Sequence, residues 1–215
     1  MVSSIPHATS TTTIFVGQIF SVAANGTISA GGTSAIVTGA VLGYKFDGQS
    51  RWMYSVDGFN VNRLLVNSIN QTTGALTQVQ AVQLPLGAQT QFVDVRGIEV
   101  DKNDRYLYVT FMRIDGPNGV ASVNNSVLMK FSINQTTGAL TEVNQVVFTG
   151  HVASLALDPD NKAVYLGCPD FINNTGTVIR QFTTDGNGNA LTLNPTNFFT
   201  SAGGAYDVKT IKFTR

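Results

Sequence analysis

Short apolar segments with a period of two alternate with polar, glycine-bearing linkers along most of the chain. Alternation of this kind over four to eight residues is typical of half-buried β-strands. In one stretch it predicts four strands in a row, at residues 97–100, 106–111, 127–133 and 141–148. The linkers carry Gly and Asn, which tolerate the positive φ angles of tight turns. The pattern therefore predicts an all-β chain of short antiparallel strands joined by hairpins.

One ten-residue sequence, Ser-Ile-Asn-Gln-Thr-Thr-Gly-Ala-Leu-Thr, occurs at 68–77 and again at 132–141. Versions of its second half begin at Gly26, Gly74, Gly138 and Asn189, at intervals of about 50 to 65 residues. A repeat of this length is typical of propellers and other repeat architectures. Each unit contains four strand candidates, which is the content of one propeller blade.

The strand pattern predicts a single domain, 1–215, that is a β-propeller of about four four-stranded antiparallel blades. Three blades are predicted at 38–88, 92–149 and 150–200, and a composite blade at 12–37 plus 204–215. The N-terminal piece supplies late strands of a blade, and the C-terminal piece supplies an inner strand. Their pairing would close the ring within one chain and remove its free sheet edges.

Composition narrows the choice of partner and location. Only 12% of the residues are charged and the formal net charge is zero, which argues against nucleic acid or an anionic membrane surface as a partner. No apolar run approaches the length of about 20 residues that a membrane helix needs, so no membrane insertion is expected. Residues 1–13 lack the basic and apolar regions of a signal peptide. The low charge content slightly favours an extracellular or cell-surface location over the cytoplasm.

Aligned inner strands place three ionisable residues at equivalent positions, and these are the candidate catalytic residues: Asp94, His151 and Asp207. Two carboxylates and an imidazole around a channel can hold a divalent cation or act as general acid and base. A structural role, in which they bind neighbouring blades, is the alternative. The lone Cys168 continues a strand pattern and is expected to be a buried structural thiol.

Five further residues are candidate ligand contacts. Arg96 and Lys209 occupy the next ring of inner-strand positions, where they can meet a phosphate or carboxylate. Asp57, Asp115 and Asp170 follow the second strands on the same face of the propeller. For these three carboxylates, turn formation is the alternative.

The segments 106–110, 128–133 and 137–141 resemble the YVTN-type propeller repeat. More narrowly, residues 40–200 are similar to the 6-phosphogluconolactonase-like lactonase propellers. The resemblance implies a propeller fold and the hydrolysis of a lactone. That family has seven blades, whereas this pattern gives about four. The chain then closes alone as a monomer, or two chains share an eight-bladed ring as a homodimer.

Three functions remain open from the sequence. The main interpretation is a non-catalytic binding module that holds a glycan, a small molecule or a protein at the mouth of the channel, because no catalytic motif is present. A structural or surface subunit, or a repeat-derived scaffold, is the second. The third is a lactonase-like hydrolase. No cofactor is expected, apart from the divalent cation that the channel residues can hold.

Overall fold

The computed structural model describes residues 14–17, 20–22, 25–30, 35–38, 41–57, 62–85, 90–115, 125–170, 176–184, 191–194 and 199–200. All regular secondary structure in these segments is β-strand, as the alternating pattern predicts. The strands are β1 (Ile14–Gly17), β2 (Phe20–Val22), β3 (Ile28–Ala30), β4 (Ala35–Thr38), β5 (Val41–Phe46), β6 (Trp52–Asp57), β7 (Arg63–Ile69), β8 (Leu76–Gln83), β9 (Thr90–Val100), β10 (Tyr106–Asp115), β11 (Ser126–Ile133), β12 (Leu140–Phe148), β13 (Ser154–Leu157), β14 (Ala163–Asp170), β15 (Gly176–Thr184), β16 (Leu191–Leu193) and β17 (Phe199–Thr200).

Consecutive strands pair in antiparallel order to form three larger sheets. Sheet 1 is β5-β6-β7-β8, sheet 2 is β9-β10-β11-β12, and sheet 3 is β13-β14-β15-β16 with β17 also paired to β15. Ahead of them, β1 pairs with β4 and β2 pairs with β3. This up-and-down order is that of propeller blades. The all-β class and the four-stranded antiparallel sheets are thus confirmed, whereas the number of blades and the closure of the ring stay predictions.

The repeated ten-residue sequence forms the hairpin turn between the third and fourth strands. In the turns at 70–74 and 134–138, the Asn side-chain oxygen accepts the backbone N–H groups two and three residues later, at 2.9–3.0 Å. The closing Gly74 and Gly138 have φ angles of 70° and 73°, which only glycine adopts at little cost. Gly138 is constrained twice, because a Cβ there would lie 2.4 Å from the ring of Trp52 in sheet 1.

The core lies between the sheets. One apolar cluster fills the space between sheets 1 and 2, and another fills the space between sheets 2 and 3. Alternate residues of β10 pack into the two clusters, since Leu107 belongs to the first cluster and Tyr108 belongs to the second. Each large side chain that is fully buried in this way contributes about 1.5–3 kcal/mol. Sheet 2 is therefore held on both faces.

The first strands of the three sheets lie side by side. Strand β9 contacts both β5 and β13. Gly97 permits the close approach of β9 to β13, since a Cβ there would lie 2.6 Å from Cβ of Leu155 in β13. Between β5 and β9, Lys45 Nζ and Glu99 Oε2 are 2.6 Å apart. The described residues include no helix long and apolar enough to cross a membrane.

Candidate functional site

The sheets have two ends that differ in chemistry. The turn end carries the turns between first and second strands, at 47–51, 101–105 and 158–162, and the loop end lies opposite. Turns of adjacent sheets are bonded to each other: Gly48 N donates to Asp104 Oδ1 at 2.7 Å, and Asn161 Nδ2 donates to Asp101 Oδ2 at 3.1 Å. The three turn ends therefore lie on one side of the molecule, and the three loop ends lie together on the other.

At the turn end, the carboxylates are occupied by structural bonds. Asp47 and Asp101 are buried, and Oδ1 of each accepts the backbone N–H groups four and five residues later, at 2.6–2.9 Å. Oδ2 of Asp47 pairs with Arg51 Nε at 2.9 Å. The fourth residue of each turn has positive φ: Ser50, Asp104 and Asn161. These acids close the turns and join the sheets.

The backbone places most of the sequence-predicted candidates at the loop end. Asp57, Asp115 and Asp170 are the last residues of β6, β10 and β14, so each second strand extends to include the aspartate that the sequence places just beyond it. Asp94 lies in β9 opposite Met112. Asp207 and Lys209 lie outside the described residues.

Arg96 occupies a β-bulge. The pairing of β9 with β10 steps from Gly97–Thr110 to Val95–Phe111, which leaves Arg96 as an extra residue. Strand β5 has the same shift, and Leu42 is its extra residue. A bulge bends the strand and re-aims its side chain, and the side chain of Arg96 is exposed. The sequence aligns Leu42 with Arg96, but it gives no sign of the bulge.

His151 lies in the short segment 149–153 that joins sheet 2 to sheet 3, and its side chain is half-buried. Ser126 Oγ donates to the carbonyl oxygen of Gly150 at 2.6 Å. On the other side, Ala153 N donates to the carbonyl oxygen of Gly167 at 2.8 Å, and Val152 is buried. Both flanks of His151 are thereby fixed to strands of different sheets.

Arg180 is a loop-end residue that the sequence reasoning missed. Its guanidinium carbon lies 5.4 Å from the ring centroid of Phe148, and its Nη2 lies 3.7 Å from the position that a Cβ on Gly150 would take. Among the described residues, its buried Nε has no hydrogen-bond acceptor. The sequence did contain a signal for this residue, because Arg180 is a charged residue at the strand position where the repeat in sheet 2 has the buried Met129. Arg180 thus packs beneath the segment that carries His151.

Arg113, in β10, is a second such cation. Its backbone N–H donates to the carbonyl oxygen of Asn125 at 3.1 Å, while the part of the chain that the structure describes supplies no acceptor for its buried Nε. The sequence reasoning missed this residue too, because it fell inside a strand away from the aligned inner-strand positions. Guanidinium groups suit the binding of carboxylate or oxyanion groups, so Arg96, Arg113 and Arg180 are the candidate anion-binding residues of the loop end.

Cys168 is the buried thiol that the sequence predicts, with 6% of its surface exposed. Burial raises the pKa of its thiol from 9.0 to about 12, against a smaller lowering by the charge of Arg180. It is therefore protonated at neutral pH and is a poor nucleophile. Across the described segments, no group of three or more His, Cys, Asp or Glu side chains is arranged to hold a metal ion. The divalent cation stays a prediction.

Comparison with known proteins identifies the family. The sequence profile described as "Lactonase, 7-bladed beta-propeller" matches residues 44–198, whereas a search of curated proteins gave no match. Two similar solved structures are a putative 6-phosphogluconolactonase from Bacteroides fragilis (16% identity, TM-score 0.60) and the periplasmic gluconolactonase of Pseudomonas aeruginosa (17% identity, TM-score 0.66). They match 94% and 95% of this chain, which spans 60% and 54% of theirs. At these identities the structural similarity shows the fold, and the profile match shows the family: the chain belongs to the lactonase family of seven-bladed β-propellers.

Proposed function

We propose that this chain is a lactone hydrolase whose site lies at the loop end, and that its substrate is the cyclic ester of a sugar acid. The observation that carries the proposal is the lactonase-family match over 44–198, a segment that contains Arg96, Arg113, His151 and Arg180. Two similar structures, a putative 6-phosphogluconolactonase and a periplasmic gluconolactonase, favour the same substrate class. This interpretation replaces the non-catalytic binding module as the leading one.

Hydrolysis of a lactone requires a base and a group that stabilises negative charge. Water attacks the ring carbonyl, a general base removes a proton from that water, and the carbonyl oxygen becomes an oxyanion. The ring C–O bond then breaks, and its oxygen takes a proton. The product is an open hydroxy acid, which ionises at neutral pH and releases one proton per turnover.

We assign the role of base to His151 and that of oxyanion stabiliser to Arg96. The segment of His151 is tied to Ser126 on one side and to Gly167 on the other, and a base held on a rigid segment acts most effectively. Arg96 stands out from its strand at a bulge and is exposed, so it is accessible to a substrate. Both residues belong to the end of the sheets where the first strands begin.

The proposal is tested by titrating proton release at constant pH with glucono-δ-lactone and a γ-lactone of the same acid. We expect the protein to exceed spontaneous hydrolysis. His151→Asn and Arg96→Ala should each lower kcat/KM by about 10²-fold or more. Lys102→Ala, an exposed change at the turn end, is the matched control and should have no effect.

Two results would count against the proposal. The first is a wild-type rate equal to that of buffer with every lactone. The second is full activity in His151→Asn. If calorimetry detects lactone or hydroxy-acid binding without turnover, the loop end is a binding site and the non-catalytic module is restored.

A further inference from the structure

Three hairpin turns in the described part of the chain contain the sequence Asn-x-Thr, beginning at the exposed residues Asn25, Asn70 and Asn134. In each turn the backbone N–H of the Thr donates to Oδ1 of the Asn, at 2.9–3.0 Å. This bond needs only the Asn side chain, because its donor is a backbone group that every residue except proline supplies. The turn therefore does not require a Thr at that position.

The turn that begins at Asn70 shows which polar groups the fold uses. Oδ1 of Asn70 accepts the backbone N–H groups of Thr72 and Thr73, and Oγ1 of Thr73 accepts the backbone N–H of Ala75 at 3.3 Å. Among the described residues, no hydrogen bond involves Nδ2 of Asn70 or the hydroxyl of Thr72, and both residues are exposed. The turn that begins at Asn134 makes the same three bonds and leaves the same two groups.

The two groups that the fold does not use are those that N-linked glycosylation requires. In the acceptor sequence Asn-x-Ser/Thr the sugar is attached to the Asn amide, and the hydroxyl two residues later completes the recognised motif. We propose that Asn25, Asn70 and Asn134 are acceptor sites for an N-linked oligosaccharide in an exported chain. The Asn Nδ2 forms a bond to C1 of an oligosaccharide carried on a polyprenyl diphosphate, the bond from C1 to the diphosphate oxygen breaks, and one amide proton is released.

Attachment of a sugar is compatible with the fold. The modified amide keeps its carbonyl oxygen, so Oδ1 of Asn70 still accepts its two backbone N–H groups. Both repeated turns lie at the turn end, since Gln71 Nε2 donates to the carbonyl oxygen of Ser50 at 2.8 Å and Gln135 Nε2 donates to that of Asp104. Oligosaccharides at these positions leave the loop end open, and the proposal does not depend on lactone hydrolysis there.

The Asn-x-Ser sequence that begins at Asn124 is an internal contrast. Asn124 lies outside the described residues, but the Ser126 that completes the sequence is buried. Its hydroxyl donates to the carbonyl oxygen of Gly150 at 2.6 Å. The fold therefore uses the hydroxyl that recognition would require, and we expect no sugar at Asn124.

The test is peptide mass spectrometry of the whole chain purified from its natural source. Enzymatic removal of N-linked sugars in heavy-oxygen water converts each modified Asn to a labelled Asp. We expect the label at Asn25, Asn70 and Asn134, and none at Asn124. Unlabelled Asn70 and Asn134 overturn the proposal. Equal labelling of Asn124 and Asn70 overturns it as well, because the bonding of the hydroxyl would then not decide which sequences are modified.

Two neighbouring variants, made in the same host, separate the acceptor sequence from the turn. Thr72→Val removes the hydroxyl but keeps the backbone N–H that bonds to Asn70, and the chain should lose the mass of one oligosaccharide. Thr73→Val is the matched control, because it removes the hydroxyl that the turn uses and leaves the acceptor sequence intact, and it should keep the full mass. Circular dichroism shows that both variants are folded. A folded Thr72→Val that keeps its sugar at Asn70 contradicts the assignment.

Discussion

The turn end and the loop end of the sheets differ in how their charged residues are bonded. At the turn end, buried Asp101 accepts three hydrogen bonds, from two backbone amides and from Asn161 of the next sheet. At the loop end, the described residues supply no acceptor for the buried Nε of Arg113 or Arg180, and at the turn end the same holds for Nη2 of Arg51. Acids that are fully bonded stabilise a fold, whereas cations with remaining donors can receive a ligand.

The contrast shows why a polar ring on a propeller does not reveal a site by itself. The aspartates at 47 and 101 recur at equivalent positions, yet each closes the turn in which it lies. Recurrence there reflects a structural task that every blade must perform. The residues at the loop end differ from sheet to sheet: Arg180 of sheet 3 occupies the position that Met129 has in sheet 2. Residues that break a repeat in this way are better candidates for function.

The largest effect that we expect is on stability at the turn end. Asp101→Ala leaves two amides and the Asn161 side chain without their acceptor, and should lower the free energy of unfolding by about 3–5 kcal/mol. Asp160→Ala is the control. Its pairing with Lys102 is 3.7 Å long and both side chains are more than half exposed, so the loss should stay under about 0.5 kcal/mol. Urea unfolding measures both, and equal losses would contradict the assignment.

The next largest effect on stability is expected in the hairpin turn that packs against sheet 1. Gly138→Ala combines a left-handed backbone with a Cβ at 2.4 Å from Trp52, and should cost about 2–4 kcal/mol. Gly26→Ala has a similar φ of 83° but no atom within 4 Å of the new Cβ, and should cost about 1–2 kcal/mol. Thermal unfolding separates the two. If the Gly26 variant proves the less stable, the packing of Gly138 on Trp52 is unimportant.

Ser126→Ala addresses the loop end with a smaller effect on stability. It removes the bond to the Gly150 carbonyl and should cost about 1 kcal/mol. Because that bond fixes one flank of His151, kcat on a lactone should fall about tenfold with little change in KM. Ser126→Thr keeps the hydroxyl and should recover part of kcat. A Ser126→Ala variant with unchanged kcat would show that Ser126 does not help to position His151 for catalysis.

The last effect is confined to alkaline solution. The pKa of Cys168 is raised to about 12 in the folded protein from 9.0, so folding favours the protonated thiol. This contribution to stability is complete below pH 9 and is lost as the pH rises towards 12. Cys168→Ala should therefore show a weaker decline in stability from pH 9 to 11 than the wild type. Identical declines would exclude the thiol as a cause.

Much of the architecture follows from the sequence because apolar and polar residues alternate along many of the strands, which indicates the face that is buried. The predicted strand at 127–133 lies within β11, which begins one residue earlier. The predicted strand at 97–100 is too short, because the bulge at Arg96 breaks the period of two in β9.

The candidate site follows from the sequence only in part. Alignment of the repeats brings Asp94, Arg96 and His151 to one end of the sheets, because strand direction fixes which ends meet. It cannot find Arg180 or Ser126, whose partners lie in another sheet or in the connection between sheets. Their contacts with Phe148 and Gly150 depend on how neighbouring sheets pack, and no local pattern encodes that distance.

The most direct test of the account uses the two histidines of the chain, His7 and His151. Their imidazole C2–H signals can be followed by proton NMR, with His7→Gln to assign them, while the hydroxy acid gluconate is added. A ligand site at the loop end predicts a saturable shift of the His151 signal and none of the His7 signal. An unchanged His151 signal, with binding detected by calorimetry, would place the site elsewhere and contradict the central claim.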